Sequence, residues 1–196
     1  TRRSWITSCP FLPQECRRIL LPMATEGIPT AVPDGGDPIE RIEVELARQI
    51  MTLHGRAGPW LCYRISTAAA GAGQQDGSGG TPLGRHRVRS CIGAGQPRGA
   101  VFRGRRPTGE VWSPQLHREY PGRDWILTRI LWLCGEEPGY NRGGAVDTMR
   151  RFIYIHGTPD TEPMGQPLSH GCIRMRNDDI LQLWEWVRPG TPVFVQ

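Results

Sequence analysis

The chain has 196 residues, with 24 basic and 19 acidic side chains and a formal charge of +5; this length suits one domain with appended sequence and is short for two full cores. All 24 basic residues are arginine, so chemistry that needs a lysine amine is excluded: no Schiff base to a cofactor aldehyde, no lysine of a phosphate-binding loop, no kinase-type strand lysine. No apolar run approaches the roughly 18 residues of a membrane span, and the six cysteines lie far apart without a C-x-x-C pair, so the spacing of a zinc ribbon or of a regular disulfide framework is missing.

Residues 1–38 are rich in proline and hold no sustained period, which reads as an irregular N-terminal arm or linker. They are not laid out as a secretory signal, because Arg17 and Arg18 follow most of the apolar letters and Pro10, Pro13 and Pro22 interrupt them. The expected compartment is the periplasm if a signal lies upstream or was removed, and the cytoplasm if the chain starts near Met23. Residues 39–196 form the expected domain. Ile42, Val44 and Leu46 alternate with Glu43 and Glu45, the period-2 signature of a half-buried strand. Gln49–Leu53 reads as its hairpin partner, and Leu61, Tyr63 and Ile65 as a third strand.

A glycine-rich stretch from Ala68 to Gly84 is loop chemistry, and it lacks the G-x-G-x-x-G fingerprint of a nucleotide site. From Gly77 to Gly109 there is no acidic residue, while Arg85, Arg87, Arg89, Arg98, Arg103, Arg105 and Arg106 all fall inside. With only Phe102 available to stack a base, this predicts a solvated basic face, or one facing an anionic polymer, and no nucleic-acid partner. Arg123–Leu133 reads as a helix, with Ile126, Ile130 and Leu133 on one stripe. Phe152–Ile155 is a short strand. A second helix begins near Asn177 as its cap, with Asp178 and Asp179 in the positive first turn, an apolar stripe of Ile180, Leu183, Trp184 and Val187, and Pro189-Gly190 as its stop. Pro192–Val195 closes the chain as a strand. The sum is a mainly-β domain with two short helices.

The segment that carries chemistry is Tyr154-Ile155-His156-Gly157-Thr158 followed by Ser169-His170-Gly171-Cys172-Ile173-Arg174-Met175. A cysteine nucleophile needs a neighbour that takes its proton, and His156 can supply that base across one loop. Gly171 lets the backbone pass closely, so amides around Cys172 can point at a developing oxyanion. Arg174 is placed to take a carboxylate through two parallel hydrogen bonds. Spacing alone leaves two other readings open. His156, His170 and Cys172 can be three zinc ligands, or each can be an ordinary structural residue.

The string S-H-G-C-I-R-M with an upstream I-H-G-T resembles the active-site motif of the L,D-transpeptidase catalytic domain, or YkuD family. Ile65-Ser66-Thr67-Ala68 with Gly80-Thr81-Pro82-Leu83-Gly84, Asn141-Arg142-Gly143-Gly144 and Gly190-Thr191-Pro192-Val193 are similar to further stretches of that family, so the resemblance spans roughly Ile42 to Val195. It implies a β-sandwich-like fold and a monomer that acts on peptidoglycan stem peptides or muropeptides without cofactor or metal. By the same resemblance Cys172 would attack the carbonyl of the L-residue at stem position 3, release the terminal D-alanine, and pass the acyl group to an amine. His156 would be its base, oriented by the Gly157 carbonyl, with amides of Gly171 and Cys172 as the oxyanion hole. Ser169, His170 and Arg174 would line the substrate cleft. Some members carry Asn where this chain has Arg174. With water as acceptor the same acyl-enzyme gives an L,D-carboxypeptidase that trims tetrapeptides in cell-wall recycling, and a non-catalytic wall-binding module is the third reading.

Overall fold

The computed structural model describes residues 39–196, so the expected arm at residues 1–38 lies outside the described residues. Ile42 and Val44 are fully buried on β1 (Arg41–Glu45), which forms an antiparallel meander with β2 (Ile50–Gly55) and β3 (Gly58–Arg64). There follow β4 (Gly84–Ile92), β5 (Ala100–Arg103), β6 (Arg106–Val111), α1 (Pro114–Glu119), β7 (Ile126–Gly135), β8 (Tyr154–Gly157), β9 (Ile173–Met175), α2 (Asn177–Trp186) and β10 (Pro192–Val195). The last strand is inserted beside the first: β10 runs parallel to β1 and antiparallel to β4. The strand order is β3-β2-β1-β10-β4-β7-β5-β6, with β8 paired to β7 and β9 paired to β8. Ile180 and Leu183 of α2 pack into a core shared with Ile42, Leu53, Ile65, Leu131, Ile155, Ile173 and Met175. No helix among the described residues is long and apolar enough to cross a membrane.

Two expectations for individual elements are corrected. The helix expected over Arg123–Leu133 is β7, the strand that pairs with β4, β5 and β8. Its run Ile-Leu-Thr-Arg-Ile-Leu-Trp-Leu is buried on both faces, and such a strand reads as a continuous apolar stretch that also satisfies a helical stripe. The basic stretch after Gly84 falls on three strands, and on β4 it gives the solvated face expected, since Arg85, Arg87 and Arg89 point outward and alternate with the buried His86 and Val88. Asn177 does not cap α2. It is the first helical residue, and its side chain instead bonds Thr128, the Thr158 carbonyl (2.9 Å) and Asp160 (3.1 Å). Among the described residues there are two α-helices, the number expected, but the second is α1, capped by Ser113, in place of the helix expected over Arg123–Leu133.

The Asn141-Arg142-Gly143-Gly144 stretch serves the frame. Asn141 is fully buried and donates to the carbonyls of Leu83 and Arg85 (both 3.0 Å), while its own carbonyl accepts from the Thr148 hydroxyl (2.9 Å). His86 completes this network through Gly84 O (3.0 Å) and Thr148 Oγ1 (3.1 Å), and burial pushes its pKa down to about 4. The unfolded chain therefore binds a proton at His86 that the folded one refuses, so the favourable contribution is complete above pH 6.5 and is lost as pH falls through about 4. Between pH 7 and pH 4.5 the loss is about 2–3 kcal/mol at ~1.4 kcal/mol per unit. Asp179, pushed up to about 6 by burial, works in the opposite sense. The His86 share is thus read as the difference between the wild type and His86→Gln in urea unfolding at the two pH values. Equal pH dependence in both proteins would remove His86 as the acid-sensitive group.

Candidate active site

Parallel pairing of β8 with β9 sets His156 beside Arg174 in register, so Cys172 enters two residues ahead, next to Tyr154. The Cys172 sulfur accepts the Tyr154 N–H at 3.4 Å and donates to the Phe152 carbonyl at 3.5 Å. Burial pushes its thiol up to about 12, with Asp124 adding to the rise and Tyr154 N–H, Arg174 and Arg151 opposing it. His156 is buried, and its Nδ1 lies 2.8 Å from the Gly157 carbonyl. A carbonyl only accepts, so Nδ1 carries the proton and Nε2 keeps its lone pair. Burial lowers the imidazole pKa, helped by Arg174, against the Gly157 bond and the Asp124 carboxylate. These shifts favour the neutral form of both the Cys172 thiol and the His156 imidazole near pH 7. No hydrogen bond joins them in this state, since the thiol is turned to Phe152 O.

Two glycines are dictated by this geometry. A Cβ on Gly157 would sit 2.8 Å from the Leu127 carbonyl and 2.7 Å from Asn177 Oδ1; only a bare backbone fits where β8 ends against the irregularity of β7 between Leu127 and Ile130. Gly171 has φ 130°, a conformation that side chains disfavour. Its carbonyl accepts from Thr81 Oγ1 (3.0 Å) and its N–H donates to Ser169 Oγ (3.2 Å). Thr81, within the Gly80-Thr81-Pro82 stretch, also accepts the Ala68 N–H at 3.1 Å, which ties the first part of the domain to the cysteine loop.

Of the other site residues read from the sequence, only His170 is strongly exposed, with a side chain 80% open to solvent. Ser169 is buried beneath the loop, donates to the Cys172 carbonyl and accepts from Gly171. Arg174 is also buried; Nη2 bonds Asp124 at 2.7 Å and Nη1 the Leu168 carbonyl at 3.3 Å. Its fork is occupied by the protein itself. The Gly171 amide is likewise engaged by Ser169.

The sequence reading missed Asp124 and Arg151. Burial favours the neutral form of Asp124, but His156, Arg174 and His170 outweigh it and hold the carboxyl below its ordinary value. It lies 3.5 Å from His170 Nδ1. Arg151 donates to the carbonyls of Gly73 (2.8 Å), Gln74 (2.9 Å) and Gly80 (2.7 Å), pinning the glycine-rich loop, and its charge is felt at Cys172. Asp124 comes from a segment remote from both strings, and Arg151, although it lies just before Tyr154, is one arginine among 24 with no spacing signal of its own. Among the described residues no three His, Cys, Asp or Glu side chains are gathered to hold a metal. His156, His170 and Cys172 therefore do not form the ligand set that their spacing allowed.

The family model for the L,D-transpeptidase catalytic domain, YkuD, matches residues 39–195. The chain is 34% identical over 91 residues to the probable L,D-transpeptidase YbiS of Escherichia coli, a stretch covering 45% of this chain and 29% of that protein. It is 41% identical over 51 residues to the putative L,D-transpeptidase YqjB of Bacillus subtilis, covering 26% of this chain and 29% of that one. These matches thus span less than a third of either relative. Among solved structures, L,D-transpeptidase 3 from Mycobacterium tuberculosis in complex with a faropenem-derived adduct is similar with a TM-score of 0.51 and 17% identity, over 81% of this chain and 60% of that one; this likeness concerns the fold. The matched residues take in every strand from β1 to β10, and the chain belongs to the YkuD family of L,D-transpeptidase catalytic domains.

Proposed function

We propose that this domain is a cysteine acyl-transferase of the L,D-transpeptidase type, acting on peptidoglycan stem tetrapeptides. The observation that carries the reading is the Cys172 thiol held against the start of β8, two residues along the same strand pairing from a buried imidazole whose proton is fixed on Nδ1 by Gly157. On attack, His156 Nε2 takes the thiol proton while sulfur bonds the carbonyl carbon. The carbon–nitrogen bond then breaks, and His156 returns the proton to the departing D-alanine amine, leaving a thioester. An incoming amine reverses the path: it gives its proton to His156, bonds the carbonyl carbon and expels the sulfur, which is reprotonated. We assign oxyanion stabilisation to the Cys172 N–H, because Gly171 N–H is held by Ser169. His170 is the residue best placed to meet substrate. Ser169, and Arg174 with Asp124, position the loop around the sulfur. Water in place of the amine gives carboxypeptidase products from the same thioester.

The test is to incubate the protein with a disaccharide tetrapeptide in EDTA and read products by mass. A dimer lighter by one alanine supports transpeptidation, and a tripeptide alone assigns water as the acceptor. A carbapenem should add its own mass to the wild type, because a strained lactam carbonyl meets the same sulfur. Absence of both turnover and labelling would overturn the reading.

A further inference from the structure

A two-residue turn, Gly104-Arg105, joins Arg103 of β5 to Arg106 of β6, and both turn residues have positive φ, 53° and 68°. That geometry favours glycine or asparagine, yet an arginine occupies the second position. Its guanidinium lies 4.5 Å from the Trp132 ring centre and 5.0 Å from that of Phe152, and donates to the Tyr154 hydroxyl at 3.0 Å. Phe152 is itself held at φ 56° with its side chain exposed, although a bulky residue pays for that conformation. The same Phe152 carbonyl and the Tyr154 N–H hold the Cys172 sulfur, and the Tyr154 hydroxyl feels both Arg105 and Cys172. Unlike Arg174, Arg98 and Arg123, Arg105 has no acidic partner among the described residues. Stacking fixes the plane of a guanidinium while leaving its N–H edge free for an anion.

We infer that Arg105, clamped by Trp132, Phe152 and Tyr154, forms a carboxylate-binding subsite for the peptide substrate beside Cys172. The proposal rests on the stem-peptide reading above and adds the contact that holds a peptide carboxylate near the sulfur. The carboxylate can be the terminal one of the leaving residue or a side-chain one on the acyl donor. Arg103, just before the turn, is exposed, and none of the cation–π contacts among the described residues involves it.

Turnover is measured for wild type, Arg105→Gln, Arg105→Lys, Tyr154→Phe and Arg103→Gln on three peptides: the stem tetrapeptide, its C-terminal amide and its side-chain amide. Arg105→Gln should lower kcat/KM on the unmodified peptide about 10- to 100-fold, mainly through KM, the size expected for a charge-assisted contact. On whichever amide lacks the recognised carboxylate, the same substitution should cost less than about threefold. That amide identifies the source. Arg105→Lys should recover part of the loss, Tyr154→Phe should show a smaller loss with the same peptide dependence, and Arg103→Gln should stay within about threefold. An equal loss on all three peptides would overturn the subsite and leave Arg105 as a brace for the hairpin. Carbapenem labelling of Cys172 separates the two failures, since a wild type that is neither labelled nor active fails the parent reading instead.

Discussion

Cys172→Ala is expected to lower turnover of a stem tetrapeptide by at least about 10⁴-fold, the scale seen when a covalent nucleophile is removed. The free cysteines Cys91 and Cys134 cannot substitute. Cys91 has its thiol pushed up by burial, and its sulfur contact is a distant carbonyl at 4.0 Å; Cys134 is buried on β7. Alanine at either should therefore act only through packing. The acid–base state of Cys172 gives a second readout. With a thiol pushed up to about 12 by burial, the resting enzyme holds little thiolate at neutral pH, and the fraction grows about tenfold per pH unit. Iodoacetamide alkylation of Cys172, followed by mass, should therefore climb steeply from pH 7 to pH 9. A rate already level at pH 6 would mean a preformed thiolate–imidazolium pair and would sink the neutral-pair mechanism. Full turnover by Cys172→Ala would sink the nucleophile itself.

His156→Gln should reduce kcat by about 10² to 10⁴-fold, the contribution of a positioned general base. Burial keeps the imidazole pKa below its ordinary value, so the wild type keeps its base form into mildly acidic solution, and activity falls only when pH drops through that lowered value. In the variant no imidazole titrates, and the thiol can attack only after losing its proton to solvent. Residual activity should then rise steadily with pH where the wild-type profile is level. This change of profile separates loss of the base from damage to the fold, since losing the Gly157 hydrogen bond costs only about 1 kcal/mol. A variant that keeps the wild-type profile at a reduced level would refute His156 as the base.

The meander of β1 to β3, the helix at Asn177–Trp186 and the closing strand were legible because each buries one face, and a half-buried element prints its period on the chain. Cys172 and His156 were legible as candidates for another reason: both lie in short strings at the ends of two strands joined by one loop. β7 was not legible, since burial on both faces erases the period that tells strand from helix. The alternation of arginine with His86 and Val88 along β4 did contain a strand signal, which the run of like charges concealed. The amino-acid string alone singled out Cys172 and His156 as candidates, together with Gly157 and Gly171, which let the backbone pass closely. Tertiary structure alone decided which charges meet. Arg174, beside the cysteine in the chain, is claimed by Asp124 from the loop before β7, while Arg105, some 67 positions away by the numbering, is carried by a hairpin onto Trp132, Phe152 and the Tyr154 hydroxyl. Sequence proximity fixes only backbone neighbours, whereas an ion pair depends on separation in space and on burial, and both are set by strand pairing.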